Sequence, residues 1–181
     1  MLPGVLENMT YAEIAGQAVS LVALGFCVAG FASKQDDRLM VLLISANVAF
    51  ALQFALFGSW TAAALTLLVI VRISLARRYK GKVGVMLLVL LACLVVAALT
   101  WRDLTDVFPL AAAVLGTVGM FMLRGIPMRI VLAGAAFAWM LNNIVIGSVG
   151  GTLAEGLVLL TNLITIHRLA RMKQRYPEVL P

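Results

Sequence analysis

VGVMLLVLLACLVVAALT fills residues 83–100 without one charged or amide side chain. A spanning helix needs about 20 mostly apolar residues, and backbone groups in hydrocarbon must bond within their own segment. The run is continuous and does not alternate, so it reads as a helix crossing lipid. Arg77-Arg78-Tyr79-Lys80-Gly81-Lys82 precedes it and Trp101-Arg102-Asp103 follows. Working outward, six further apolar stretches appear: 12–32, 39–57 and 60–79 before it, and 105–123, 129–147 and 152–171 after it. Polar or turn-forming segments divide them. These are Ser33-Lys34-Gln35-Asp36-Asp37-Arg38, Gly58-Ser59, Arg124-Gly125-Ile126-Pro127 and Gly147-Ser148-Val149-Gly150-Gly151. The expected fold is an all-α polytopic membrane protein with seven transmembrane helices in one membrane domain, 1–181.

Composition agrees. The chain has 181 residues, 63% hydrophobic and 12% charged, and a mean hydropathy of +1.06. Soluble domains carry roughly 25% charged residues. With so few charges the exposed face must meet lipid. The first stretch carries Glu7 and Glu13 in place of a basic leader and is expected to stay as a helix.

Charge sets an expected orientation. Lys34, Arg38, Arg77, Arg78, Lys80, Lys82, Arg124, Arg129, Arg168, Arg171, Lys173 and Arg175 fall on one side. Only Arg102 falls on the other, and Arg72 lies inside a span. Basic loops stay cytoplasmic, so the N-terminus is expected outside and the C-terminus in the cytoplasm. The net charge of +6 is then accounted for by topology, and a nucleic-acid partner is not expected.

The halves resemble each other. Phe57-Gly58-Ser59 aligns with Ile146-Gly147-Ser148, and the amides Gln53 and Asn142 each precede the glycine by five residues. One inserted residue then sets Arg72 against Asn162 and Arg77-Arg78 against His167-Arg168. The expectation is two parallel three-helix bundles, 12–79 and 105–171, joined by the linking helix 83–100. Parallel repeats are one construction of transporters, with the solute near the midplane between them.

Several of these residues carry a resemblance. Gly147-Ser148-Val149-Gly150-Gly151-Thr152-Leu153-Ala154-Glu155-Gly156, with Asn162 and Ile166-His167-Arg168, is similar to the YgjV family of bacterial inner-membrane proteins. Leu110 to Gly116, Gly125, Met128-Arg129, Gln17-Ala18, Asp36-Asp37-Arg38 and Ile70-Val71-Arg72 fit the same family. The resemblance implies a multi-pass protein of the bacterial inner membrane and no particular substrate. The three-one-three layout is more distantly similar to SWEET sugar transporters and nicotinamide riboside carriers. It departs from SWEETs in having Pro109 and Pro127 in the second half but no proline in the spans of the first.

The candidate chemistry lies inside the spans. Arg72 is a functional candidate because a buried arginine is costly; alternatively it snorkels to the interface near Arg77. Asn162, Asn142, Gln53, Asn47 and Gln17 either line a solute site with it or join helices by hydrogen bonds. Glu155 relays a proton, pairs with a cation, or closes a capping box with Thr152. Ala112, Ala113, Gly116 and Thr117 form a small-residue stripe expected to serve packing. Trp60 and Trp139 could stack on a flat solute, or sit at the interface. Cys27 and Cys93 read as small apolar residues, and no catalytic set, metal ligand or cofactor is expected.

The expected function is a small polar solute transporter or facilitator working by alternating access between two bundles. Its expected partners are membrane lipids, the solute and, where it oligomerises, a second copy of the chain. The competing expectation is a non-transporting scaffold or regulatory subunit with a packed, dry seam.

Overall fold

A computed structural model describes residues 10–32 and 36–175. Among them are seven α-helices and no strand: α1 (Tyr11–Ala32), α2 (Asp36–Leu56), α3 (Trp60–Arg78), α4 (Val83–Thr100), α5 (Val107–Met122), α6 (Gly125–Val145) and α7 (Val149–Arg175). A single 3-10 turn, Leu104–Asp106, leads into α5. Glu7, Lys34 and the end of the chain lie outside the described residues, as do residues 33–35 of the expected loop 33–38. Six helices are long and apolar enough to cross a membrane, and α2 adds the shorter apolar run Val41–Leu56.

Neighbours in the fold follow a simple order. α1 packs on α2, α2 on α3, α3 on α5, α5 on α6, α6 on α7, and α7 back on α1. The helix α4 packs on α3 and α5 alone among its substantial contacts. Its buried residues Val89, Cys93 and Ala97 recur every four positions, which is one narrow stripe of a helix. The rest of α4 is exposed apolar surface, such as Leu88, Leu91 and Leu99, as a lipid-facing helix requires.

Two ends of the molecule can be told apart by contacts. At the first end Gln17 meets the α6–α7 turn, Thr61 bonds the carbonyl of Thr100, and Arg102 sits over the Trp60 ring. At the second end the Gly81 amide bonds the Phe121 carbonyl, and Lys80 reaches Met128. Burial and then the neighbouring Arg124 charge pull the Lys80 pKa down. Trp60 is half exposed at the first end, the interfacial alternative for that residue.

The largest shifts of helix start fall at α2, α6 and α7; α2 begins at Asp36 rather than 39 and takes Asp36, Asp37 and Arg38, expected in the loop, into its first turn. Helix α6 begins at Gly125 rather than near 129, because Gly125 takes a φ of 59° and Pro127 falls in the first turn, where no backbone N–H is required. Helix α7 begins at Val149 rather than 152. Gly147 turns the chain with a φ of 75°, and the Gly151 amide donates to Ser148 Oγ at 3.1 Å, so Ser148 caps the helix. The expected capping box of Thr152 and Glu155 therefore does not form: the Thr152 hydroxyl bonds the Ser148 carbonyl instead. Gly150 and Gly151 are helical, and their role is contact. A Cβ on Gly150 would stand 2.5 Å from the Ser20 backbone of α1.

Candidate functional site

A cavity of about 350 Å³ lies between the helices. Its walls come from α1, α2, α3, α5, α6 and α7, and α4 contributes nothing to them. Ligand pockets begin at about this size. The lining is mostly apolar, yet it holds Arg72, Arg129, Glu155, Asn47 and Asn162.

Arg72 is 6% exposed, so it does not snorkel to the surface. Its Nη1 donates to the Ala113 carbonyl of α5 at 3.1 Å. Its Nε is buried with no partner among the described residues. The guanidinium rests on Gly116, where a Cβ would stand 2.6 Å from Nη1 and 2.8 Å from Cζ. The expected packing stripe of α5 is present, for Ala112, Ala113 and Thr117 are buried. Gly116 departs from it, because its missing side chain makes the seat for an arginine.

Arg129 was expected among the topological charges. With α6 starting at Gly125 it stands one turn inside the helix, half-buried on the cavity wall. Its Nη1 donates to Asn162 Oδ1 at 3.3 Å, and Asn162 Nδ2 donates to its own helix at Val158. The partner of Asn162 is thus Arg129, not Arg72. Asn47 also lines the cavity and donates back to the Leu43 carbonyl.

The other expected site residues lie outside the lining. Gln53 donates to Asn143 Oδ1 at 3.0 Å, a bond from α2 to α6 between two fully buried side chains. Asn142 is buried beside them, and Gln53 Oε1 and Asn142 Nδ2 have no partner among the described residues. Gln17 donates to the Gly147 carbonyl at 2.6 Å and accepts from the Val149 amide at 3.1 Å, tying α1 to the α6–α7 turn. Phe54 stacks on Trp139 at 5.5 Å between ring centroids, again from α2 to α6. These amides and rings close the first end. Towards the second end the lining residues Leu43, Arg129 and Leu132 are partly exposed.

Glu155 lies on α7 and lines the cavity. It is six residues from the helix start, and Arg72 is six residues from the end of α3, so each stands roughly 9 Å inside its helix. The cavity therefore has two guanidiniums towards the second end and one carboxylate towards the first.

A regularity runs through the lining. Cys27 and Gly116, Leu43 and Leu132, Ala46 and Ala135, and Asn47 and Ala136 are each 89 positions apart. So are Phe50 and Trp139, Thr66 and Glu155, Val69 and Val158, and Arg72 and Thr161. The turns Gly58 and Gly147 share the same separation, with φ of 74° and 75°. Their hydrogen bonds match too: Ser59 to Phe54 and Ser148 to Asn143, both at 2.8 Å. The inserted residue expected from sequence is not needed. At this spacing the counterpart of Arg72 is Thr161, and Asn162 lies one position beyond it.

A family model described as "Bacterial inner membrane protein", Imp-YgjV, matches residues 14–173. The chain is 25% identical over 159 residues to "Inner membrane protein YgjV" of Escherichia coli (strain K12), covering 88% of this chain and 86% of the relative. No solved structure matches. Nine-tenths of the chain fits one family, over all seven helices, and the protein belongs to the Imp-YgjV family of bacterial inner membrane proteins.

Proposed function

We propose that this inner-membrane protein carries or facilitates the passage of a small polar solute, by rocking two parallel three-helix bundles, 12–79 and 105–171, about the central cavity. The observation that carries the reading is the cavity itself, with Arg72, Arg129 and Glu155 on walls drawn from both halves. Ionisable groups within spans face solute or ion pathways far more often than lipid. The constant 89-residue spacing of opposed lining positions supports an internal duplication, and so does the neighbour order. Under the exchange of α1, α2, α3 for α5, α6, α7, the contact of α3 with α5 becomes that of α7 with α1. Linker α4 returns the chain so that both halves run the same way.

The seal at the first end suits such motion. The Gln53–Asn143 bond and the Phe54–Trp139 stack both join one half to the other. Parting them would open the cavity at that end. The scaffold reading accounts for the amides that bond only neighbouring backbone, such as Asn47 to Leu43, but leaves a charged cavity without a purpose.

A native reporter tests this reading. Cys27 is buried on the cavity wall, whereas Cys93 sits on α4. In a Cys93→Ser chain, a small hydrophilic thiol reagent should reach Cys27 from either face of sealed vesicles, if access alternates. Labelling from one face only, or from neither, would sink the carrier reading. Orientation is a separate expectation of the charge bias: a reporter fused after Pro181 should register the cytoplasm, and one inserted at Ser148 the outside.

A further inference from the structure

We infer that the solute is an organic anion with an apolar body, held head-first at Arg72 and Arg129; this rests on the carrier reading above. Three observations on the cavity lead there. First, its cations have no acidic partner among the described residues. Arg72 has one carbonyl acceptor and an orphaned Nε, and Arg129 has one amide oxygen. A guanidinium carries five donors in a planar fork that matches carboxylate or phosphate oxygens. Two such forks, largely unspent, one buried at Arg72 and one half-buried at Arg129, form an incomplete anion site. An uncompensated buried charge is costly, so a bound anion supplies what the protein omits.

Second, the opposite end of the cavity has no cation for such a head group. Glu155 is the only acidic residue on the wall and makes no hydrogen bond or ion pair with any described residue. It stands against the first end, beside Thr66 in the repeat register. A second anionic group on the solute would find no cation there. The solute is therefore expected to carry its charge at one end only.

Third, the space between is apolar and aromatic. Phe50 and Trp139, paired positions of the two halves, face the cavity with Val69 and Val158. A flat or aliphatic body displaces water from these walls, at about 25 cal/mol for each Å² of apolar surface covered. A small inorganic anion would leave that surface wet. The bare head group is then bound less well than the same head group on an apolar chain.

The test uses one carbon skeleton with three head groups. Full-length protein in phosphatidylcholine nanodiscs, which lack anionic lipid, is titrated with phenylacetate, phenylacetamide and phenethylammonium at fixed ionic strength, with thermal unfolding as the readout. Phenylacetate should raise the unfolding midpoint. The neutral amide, the ammonium and acetate should leave it unchanged at the same concentrations. Arg129→Gln, at a half-exposed position that tolerates change, should weaken the phenylacetate response at least tenfold, and Arg72→Lys should weaken it less than Arg72→Gln. Arg168→Gln, outside the cavity, should not alter it. Equal stabilisation by the amide or the ammonium, or a phenylacetate response that survives in both glutamine variants, overturns the anion site. So does the absence of any response to phenylacetate. Adding phosphatidylglycerol to the discs separates a lipid from a soluble solute. If it alone stabilises the protein, in an Arg129-dependent way, the head group belongs to lipid and the soluble solute is overturned. Two-sided labelling of Cys27 with no response to phenylacetate would reject this solute class and leave the carrier standing.

Discussion

Replacing Gly151 with alanine is expected to break the seal at the first end and to destabilise the protein by about 2–4 kcal/mol, an overpacking cost plus an orphaned buried polar group. A Cβ there would overlap Asn143 Oδ1 and come within 2.5 Å of its Cγ and 2.8 Å of Ser148 Oγ. Neither neighbour can yield cheaply. Asn143 Oδ1 accepts from Gln53, and Asn143 Nδ2 donates to the Trp139 carbonyl at 3.0 Å. Ser148 Oγ is the cap of α7. A swing of Asn143 away from the new methyl strands Gln53, which already has one unpaired oxygen. The control is Gly156→Ala on the same helix. Nothing lies within 4 Å of a Cβ there, so that change should be neutral or gain up to about 1 kcal/mol from helix propensity. Reversible unfolding in mixed micelles measures both. If the Gly151 variant unfolds together with the Gly156 variant, α6 and α7 do not depend on this contact. A broken seal should also speed labelling of Cys27 from the first end in a Cys93→Ser chain.

The spans were legible because hydropathy and charge act on whole segments. Val83–Thr100 falls where the apolar run does, since lipid tolerates nothing else in that stretch. Helix starts were less so. Pro127 looks like a stop in sequence, yet a proline in the first turn of a helix costs no hydrogen bond. That one misplacement moved Arg129 from the cavity wall to the membrane edge. The glycines at 150 and 151 look like a turn, and only the positions of Ser20 and Asn143 reveal them as contact surfaces.

The candidate site was half legible for a similar reason. Arg72 and Glu155 stood out because charges are rare in spans. Which amides would join them was not readable, since Asn142 and Asn143 differ by 100° of helical rotation and only packing decides which faces a partner. Asn143 meets Gln53, which turns both away from the cavity. The likeness of the two turns, Gly58 and Gly147, was visible in sequence, but side-chain likeness between the halves suggested an insertion that the 89-residue spacing of the lining does not require. Arg72 and Thr161 both line the cavity, 89 positions apart, without matching chemistry, so spacing rather than side-chain identity relates the two halves of the lining.

Arg72 itself should show stability and function pulling apart. Replacing it with leucine is expected to stabilise the fold by about 1–3 kcal/mol, the order of the cost of a charge within a span, while abolishing the response to phenylacetate. The reasoning is local. Its guanidinium is buried and reaches a single acceptor among the described residues, the Ala113 carbonyl. That carbonyl also accepts from Thr117 Oγ1 at 2.7 Å, so removing Arg72 orphans nothing. Leucine takes the place of the stem among Val69, Met120 and the small face of Gly116. Lysine keeps the charge but not the planar fork over that glycine, and should retain part of the response at a stability near that of the native chain. Gly116→Ala keeps Arg72 and displaces it, because a Cβ would meet its Nη1, Cζ and Nη2 within 2.9 Å. It should weaken binding without removing any charge, which separates position from electrostatics. A leucine variant that unfolds more easily than the native protein and still responds to phenylacetate would make Arg72 a structural tie between α3 and α5. A variant that gains stability and loses the response identifies the arginine as a group the fold carries at a cost, for the solute it meets.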